Sequence, residues 1–222
     1  MKIIIAGLGP GNPELVTLEA LNHARSSDVI IAPRSRKNTP GVAENIIAHH
    51  LPDAKIIPVL FPMITDTEQR DKIILEQLTD IQPVDKIFFP VIGDSMLYST
   101  GAYLLDVWRK IIPDIDAEFV PGISAHSLAA ACAKKFLAMN TDILSIIPGT
   151  ADREKIINVM KYSDTVAIYK PTALKDLHEL TKKFTNIIRV DFAGIPGKER
   201  VITGDEALND IHEYLSIILL WR

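Results

Sequence analysis

The chain has 222 residues, with 24 Lys and Arg against 28 Asp and Glu, for a formal charge of −4. With 47% hydrophobic and 23% charged residues it has the composition of an ordinary globular protein, which excludes a disordered tail. The acidic balance leaves no global field to gather RNA or an anionic membrane surface, so neither a nucleic acid nor a membrane is an expected partner.

Taken in chain order, KIIIAGL (2–8), DVIIAP (28–33), AKIIPVL (54–60) and KIFFPVI (86–92) predict buried strands. Their apolar runs are continuous rather than alternating, as in a parallel sheet covered on both faces. Between them PELVTLEALNHARSS, TPGVAENIIAHHL and TEQRDKIILEQLTDI carry apolar residues at helical spacing, which makes the fold α/β. After AEFVPG the alternation is less regular: a small-residue helix SAHSLAAACAKKF, strand DILSIIP, helix DREKIINVMKYS, strand DTVAIYKP, helix ALKDLHELTKKF, strand NIIRVDFAG and a closing apolar strand EYLSIILLWR. The prolines and glycine of IIPDIDAEFVPG place a boundary about halfway, giving lobes 1–115 and 116–222. A cleft between two such lobes would receive ligands at the carboxyl ends of the first-half strands.

The single cysteine, Cys132, forms no intrachain disulfide and reads as a small core residue rather than a nucleophile, which suits a reducing compartment. MKIIIAGLGPG breaks at glycines too early for a signal peptide, and no stretch approaches the roughly 18 apolar residues of a membrane helix. The expected location is the cytoplasm.

Three loops at strand ends carry the chemistry. GLGPGNPEL invites a dinucleotide reading, in which backbone amides hold a pyrophosphate. The match is poor: Pro10 removes an amide, Asn12 replaces the third glycine of the fingerprint, and the second strand ends in Ala32-Pro33 where a ribose-binding acid should stand. No GK[ST] follows. The second loop, GDSMLYST, puts Asp94 just past a strand beside Gly93, with Tyr98, Ser99 and Thr100 at the start of the next helix. The third, VPGISAHSLAAA, again follows a strand with Pro121-Gly122 and opens a helix at Ser124. Each alone is a turn with a cap; three in one α/β chain describe a pocket.

In this order GxGPG-N-PELVTL, GD-x-x-x-YST and VPGIS-x-x-x-AAA resemble the tetrapyrrole methylases, and the agreement continues through FLAMNTDILSIIPGT and DTVAIYKP, over essentially the whole chain. The YST after Gly-Asp is most similar to the subgroup that methylates C20 of precorrin-2 or its cobalt complex (cobalt-factor II) in cobalamin synthesis. The resemblance implies the tetrapyrrole methylase fold, a parallel-rich sheet followed by a mixed sheet with the active site in the cleft between two lobes. It also implies S-adenosylmethionine as methyl donor, a tetrapyrrole as small-molecule partner, and a homodimer. Two positions depart from the family pattern: Ser95 stands for the proline of GDP, freeing an amide and loosening the turn, and Asn12 stands for Asp, keeping a capping oxygen without the charge.

On this resemblance the cofactor is expected against Pro10, Gly93, Asp94, Met96, Leu97, Ser99 and Thr100, with Ile123, Ser124, Tyr169 and Ala193 from the second lobe, and Asp94 and Tyr98 are the candidate catalytic residues. A meso carbon of a reduced tetrapyrrole is already nucleophilic, so no strong base is demanded, in keeping with scattered histidines and no Ser-His-Asp or Cys-His constellation. The substrate's carboxylates need donors, and Arg34, Arg36 and Lys37 in APRSRKN after the second strand are candidates, with His126; a merely solvated loop competes with this reading. Lys170 precedes a proline at a strand end, within reach of either ligand, and the sequence does not choose between them. His49-His50 suits a helix terminus better than a metal site, and no metal is expected. Two other functions compete: a sibling methylase acting at another carbon or on a non-tetrapyrrole, and a binder of tetrapyrrole or nucleotide without turnover.

Overall fold

A computed structural model describes residues 1–62, 64, 66–82 and 84–222. The chain divides into two compact units, Met1–Ser124 and Ala125–Arg222. In the first, strands β1 (Lys2–Gly7), β2 (Val29–Arg34), β3 (Ile56–Leu60), β4 (Lys86–Val91) and β5 (Asp116–Val120) form one sheet in the order β3-β2-β4-β1-β5. Every pairing in it is parallel. Strand β5, expected to open the second lobe, pairs with β1 from Lys2↔Asp116 to Ala6↔Val120 and so belongs to the first unit. The proline-glycine punctuation marks the end of that strand, not its start.

Helices α1 (Leu18–Arg25), α2 (Val42–His50), α3 (Thr67–Thr79) and α4 (Thr100–Ile111) cover the sheet. Alternate residues of each strand face opposite sides. Ile4, Ala6, Ile30 and Phe88 pack with Ala20 and Ala24 of α1 and with Ile46 and Ile47 of α2. Ile3, Ile5, Ile31, Ile87 and Phe89 pack instead with Ile74 and Leu78 of α3 and with Leu104, Val107 and Trp108 of α4. Both faces are buried, which is why the strands read as unbroken apolar runs.

This arrangement locates a crevice. Strand β4 lies between β2 and β1, whose following helices pack on one face, while the helix after β4 packs on the other. Connections that diverge from neighbouring parallel strands leave a gap at their carboxyl ends, and the loop there is GDSMLYST.

The second unit holds β6 (Leu144–Pro148), β7 (Thr165–Tyr169), β8 (Asn186–Asp191), β9 (Arg200–Thr203) and β10 (Ser216–Trp221) in the order β6-β7-β10-β8-β9, with α5 (Ala125–Cys132), α6 (Arg153–Tyr162) and α7 (Leu177–Thr181). Strands β6 and β7 are parallel; β10 runs antiparallel to β7 and β8, and β9 to β8. The sheet is mixed, and the apolar run at the chain's end is its fully buried central strand. Two elements differ from the sequence expectation. ALKDLHELTKKF holds only the five-residue α7, because Asp176 within it (φ 56°) takes a left-handed conformation that interrupts a helix. Strand β9 is additional: it is four residues long and mostly exposed, so burial leaves no pattern in its sequence.

Candidate functional site

The loops after β1 and β4 are zipped together. Gly9 N–H donates to Gly93 O at 3.1 Å, and Gly93 N–H donates to Gly9 O at 2.7 Å. Both glycines have positive φ, 77° and 74°, which a side chain rarely adopts. Leu8 N–H is also spent, on Val91 O at 2.9 Å. The Leu8 and Gly9 amides, which a dinucleotide loop could aim at a pyrophosphate, are therefore spent within the protein, which adds to the poor match of the motif. Gly7, Gly93 and Gly122 approach one another so closely that a Cβ on Gly122 would collide with Gly93 O and lie 2.6 Å from the Gly7 carbonyl carbon. A Cβ on Gly93 would meet nothing within 4 Å, so its Cα faces open space.

Asp94 ties two loops together. Its Oδ1 accepts from Met96 N–H at 2.8 Å, turning the chain after β4, and its Oδ2 accepts from Gly122 N–H at 3.0 Å, reaching the loop after β5. It does not cap α4; Ser99 does, accepting from Gly101 N–H at 3.0 Å. Met96 is 67% exposed, Leu97 and Thr100 are half-buried, and Pro10 is buried. Tyr98 has φ 50°, a left-handed conformation that costs a bulky side chain energy and is held by the loop around it. Burial raises its phenol pKa above the ordinary value, so near neutrality Tyr98 is a hydroxyl and not a base.

The positions that depart from the family pattern have separate outcomes. Asn12 Oδ1 accepts from Glu14 N–H at 3.0 Å, keeping the capping oxygen. Ser95 is buried, and its Oγ has no hydrogen-bond partner among the described residues. An unsatisfied buried hydroxyl costs about 1–3 kcal/mol. Ser95→Ala is accordingly expected to stabilise the protein by about 1 kcal/mol, read as a rise of roughly 2–4 °C in a thermal melt; a fall would show that the hydroxyl is satisfied in solution.

In the second unit the three candidate residues gather at one end of β7 and β8. His126, in the first turn of α5, presents its backbone N–H to Tyr169 Oη at 3.2 Å and its Nδ1 to the same oxygen at 2.8 Å. A Tyr169 Oη that accepts from the amide has its own proton to give to Nδ1, which favours the Nε2–H tautomer of the His126 ring. Ala193 is buried in the cluster that Tyr169 packs against, together with Ala129 and Ala130 of α5. The turn carrying Ala193 is anchored by buried Asp191, which accepts from Ser216 Oγ at 2.6 Å and from Arg200 Nη2 at 3.2 Å. Arg189 Nε also lies 3.2 Å from Asp191, without hydrogen-bond alignment. Sequence reasoning missed this anchor, although a run of Arg, Val and Asp ending a strand otherwise apolar was its signal. Ile123 and Ser124 are half-buried at the end of the first unit.

Among the basic residues after β2, Arg36 and Lys37 are exposed, whereas Arg34 is engaged: its Nε and Nη2 donate to Glu44. That bond lowers the Glu44 pKa below the ordinary carboxylate value and raises that of Arg34. His50 Nε2 lies 2.8 Å from Pro13 O, joining the end of α2 to the loop after β1. Cys132 is half-buried, and burial pushes its thiol up to about 11, so it is no thiolate nucleophile. Among the described residues one group has metal-ligand character, Glu19, His23 and Glu118, but Glu118 is held by Lys2 at 2.8 Å and by His23 at 3.3 Å. No helix among the described residues is long and apolar enough to cross a membrane.

Comparison with known proteins agrees with this geometry. Residues 2–208 match the family model of the tetrapyrrole (corrin/porphyrin) methylases. The chain is 31% identical over 227 residues, covering 100% of this chain and 96% of the relative, to a probable cobalt-precorrin-2 C(20)-methyltransferase of Methanocaldococcus jannaschii. It is 29% identical over 174 residues, 76% of this chain and 72% of the relative, to the cobalt-precorrin-2 C(20)-methyltransferase of Salmonella typhimurium. In fold it is similar to the uroporphyrin-III C-methyl transferase of Thermus thermophilus complexed with S-adenyl homocysteine, with a TM-score of 0.69 at 18% identity over 100% of this chain and 98% of that one. With that match running through both sheets, the chain belongs to the tetrapyrrole methylases.

Proposed function

We propose that this protein transfers the methyl group of S-adenosylmethionine to C20 of precorrin-2 or its cobalt complex, in cobalamin biosynthesis. The observation that carries the reading is the relative named for that reaction, matched over 100% of this chain. S-adenosylmethionine supplies an electrophilic methyl on a sulfonium, and the electron-rich meso carbon supplies the nucleophile. The protein's part is to position them, an effect that reaches about 7–11 kcal/mol when reacting atoms are held in near-attack geometry.

The fit of the first unit to the cofactor is supported by the open face of Gly93, where the absence of a Cβ lets a ligand lie against the main chain. Within this unit Pro10, Gly93, Met96, Leu97, Ser99, Thr100, Ile123 and Ser124 are assigned to the cofactor. Asp94 holds the loops after β4 and β5 in register through its two amide bonds and adds a negative charge beside a cationic donor. Tyr98, kept as a phenol, orients a polar edge of the substrate and takes no proton from it. His126 is assigned to the substrate. A cytoplasmic homodimer completes the reading.

The test is a single-turnover assay with labelled S-adenosylmethionine and, in parallel, precorrin-2 and cobalt-factor II, reading product mass and methyl position. A methyl at C20 of either is the expected result, and it chooses between the metal-free and cobalt routes. Methylation at another carbon, or no transfer despite cofactor binding, overturns the reading.

A further inference from the structure

The loop on the other side of β4 has a feature that the proposed reaction leaves unexplained. β2 pairs with β4 only at Val29↔Ile87 and Ile30↔Phe88, in the amino halves of the two strands, while its pairing with β3 runs on to Arg34↔Leu60. The carboxyl end of β2, and the segment 35–41 that follows, therefore border the crevice at the end of β4. One carboxylate closes both ends of this segment. Glu44, 9% exposed, accepts from Arg34 Nε at 2.7 Å, from Arg34 Nη2 at 2.5 Å and from Gly41 N–H at 3.3 Å. Arg34 Nη1 donates to Lys37 O at 3.2 Å, and Arg34 O accepts from Phe61 N–H at 2.7 Å. A Cβ on Gly41 would stand 2.6 Å from Pro33 O, so the loop closes tightly on its own strand. Each nitrogen of the Arg34 guanidinium is thus bonded, two to Glu44 of α2 and one to the loop at Lys37 O, while Arg36 and Lys37 at its exposed tip make no ion pair among the described residues.

We propose that Arg34 is a positioning residue, and that its bidentate pair with Glu44 holds the 35–41 loop so that Arg36 and Lys37 are the groups that bind carboxylates on the rim of an anionic macrocycle. The proposal rests on the tetrapyrrole reading above. A preformed loop places two cations without the entropy cost of ordering seven residues on binding. A guanidinium and an ammonium at the crevice mouth suit carboxylates on flexible acetate and propionate arms, which need charge-assisted donors more than exact placement.

One substitution separates the two roles of Arg34 by sign. Glu44→Gln removes a negative charge near the loop; if Arg34 were itself a ligand, freeing it would tighten binding of a polyanion. If the pair positions the loop, the same change loosens it and weakens binding. The experiment titrates the full-length protein with uroporphyrin III, a stable octacarboxylate macrocycle, by fluorescence, and with S-adenosylmethionine by calorimetry. Glu44→Gln and the double variant Arg36→Ala/Lys37→Ala are each expected to raise the porphyrin Kd about tenfold and to leave the cofactor Kd unchanged. Combining all three changes should add little to the double variant, because the loop then carries nothing to position. Hydrogen exchange of the 35–41 amides should quicken in the variants that carry Glu44→Gln and not in Arg36→Ala/Lys37→Ala. Tighter or unchanged porphyrin binding by Glu44→Gln overturns the positioning role, and an unchanged Kd in the double variant, whose side chains are exposed and not needed for folding, overturns the ligand assignment. Porphyrin binding with this pattern but no methyl transfer to precorrin-2 or cobalt-factor II would overturn the proposed reaction and leave the loop's role standing.

Discussion

Gly122→Ala is expected to lower the melting temperature of the first unit by on the order of 10 °C and to abolish methyl transfer. The new Cβ would collide with Gly93 O and lie 2.7 Å from Gly7 O, and every one of those atoms is backbone. No rotamer relieves such a clash; the loops after β1, β4 and β5 must separate. Overpacking of a tight site costs about 1–3 kcal/mol, and here the upper end applies because the atoms displaced also carry the Gly9–Gly93 hydrogen bonds. Gly204→Ala, in the second unit, is the opposite case: Gly204 has φ 67° with open space around it, whereas Gly122 is not among the positive-φ glycines. It isolates the left-handed backbone penalty of about 1–2 kcal/mol and should leave activity intact. A Gly122→Ala melting temperature within about 2 °C of the unsubstituted protein's would show that the three-glycine contact yields without cost.

Asp94→Ala is expected to reduce kcat/KM about 100-fold. Both carboxylate oxygens accept backbone amides, and hydrogen bonds to a charged group are worth about 1.5–3 kcal/mol each. Losing about 3 kcal/mol from the bound, correctly aligned loops corresponds to roughly two decades in rate. Asp94→Asn should fall nearly as far, because an amide that keeps the Met96 bond turns its NH2 toward Gly122 N–H, donor against donor. Steady-state kinetics with varied cofactor would check this; a loss under fivefold in both variants would make Asp94 a spectator.

Much of the fold is legible in contiguous stretches of sequence. The four apolar runs of the first half are strands at nearly the expected positions, because a strand buried on both faces leaves an uninterrupted local signature. The glycine loops and Asp94 stand out for a similar reason: special backbone conformations restrict residue type at the position itself. What stays hidden depends on partners distant in the chain. Asp94 reads as a carboxylate set beside the cofactor, yet its second oxygen is taken by Gly122, 28 residues away. Arg34 reads as a free cation, and only the packing of α2 beside β2 brings Glu44 under it. Ser95 reads as a loosened turn, while the fold buries its hydroxyl without a partner among the described residues.

The sequence by itself determined the α/β alternation, the family and the loops that carry the chemistry, because periodicity, turn residues and motif order are properties of contiguous stretches. Only the tertiary structure decided that β5 completes the first sheet, that the Leu8 and Gly9 amides are already paired, and which of the cations after β2 is held and which are presented. Those outcomes depend on strand order and on which side chains meet across the fold, and nothing in a local pattern encodes them.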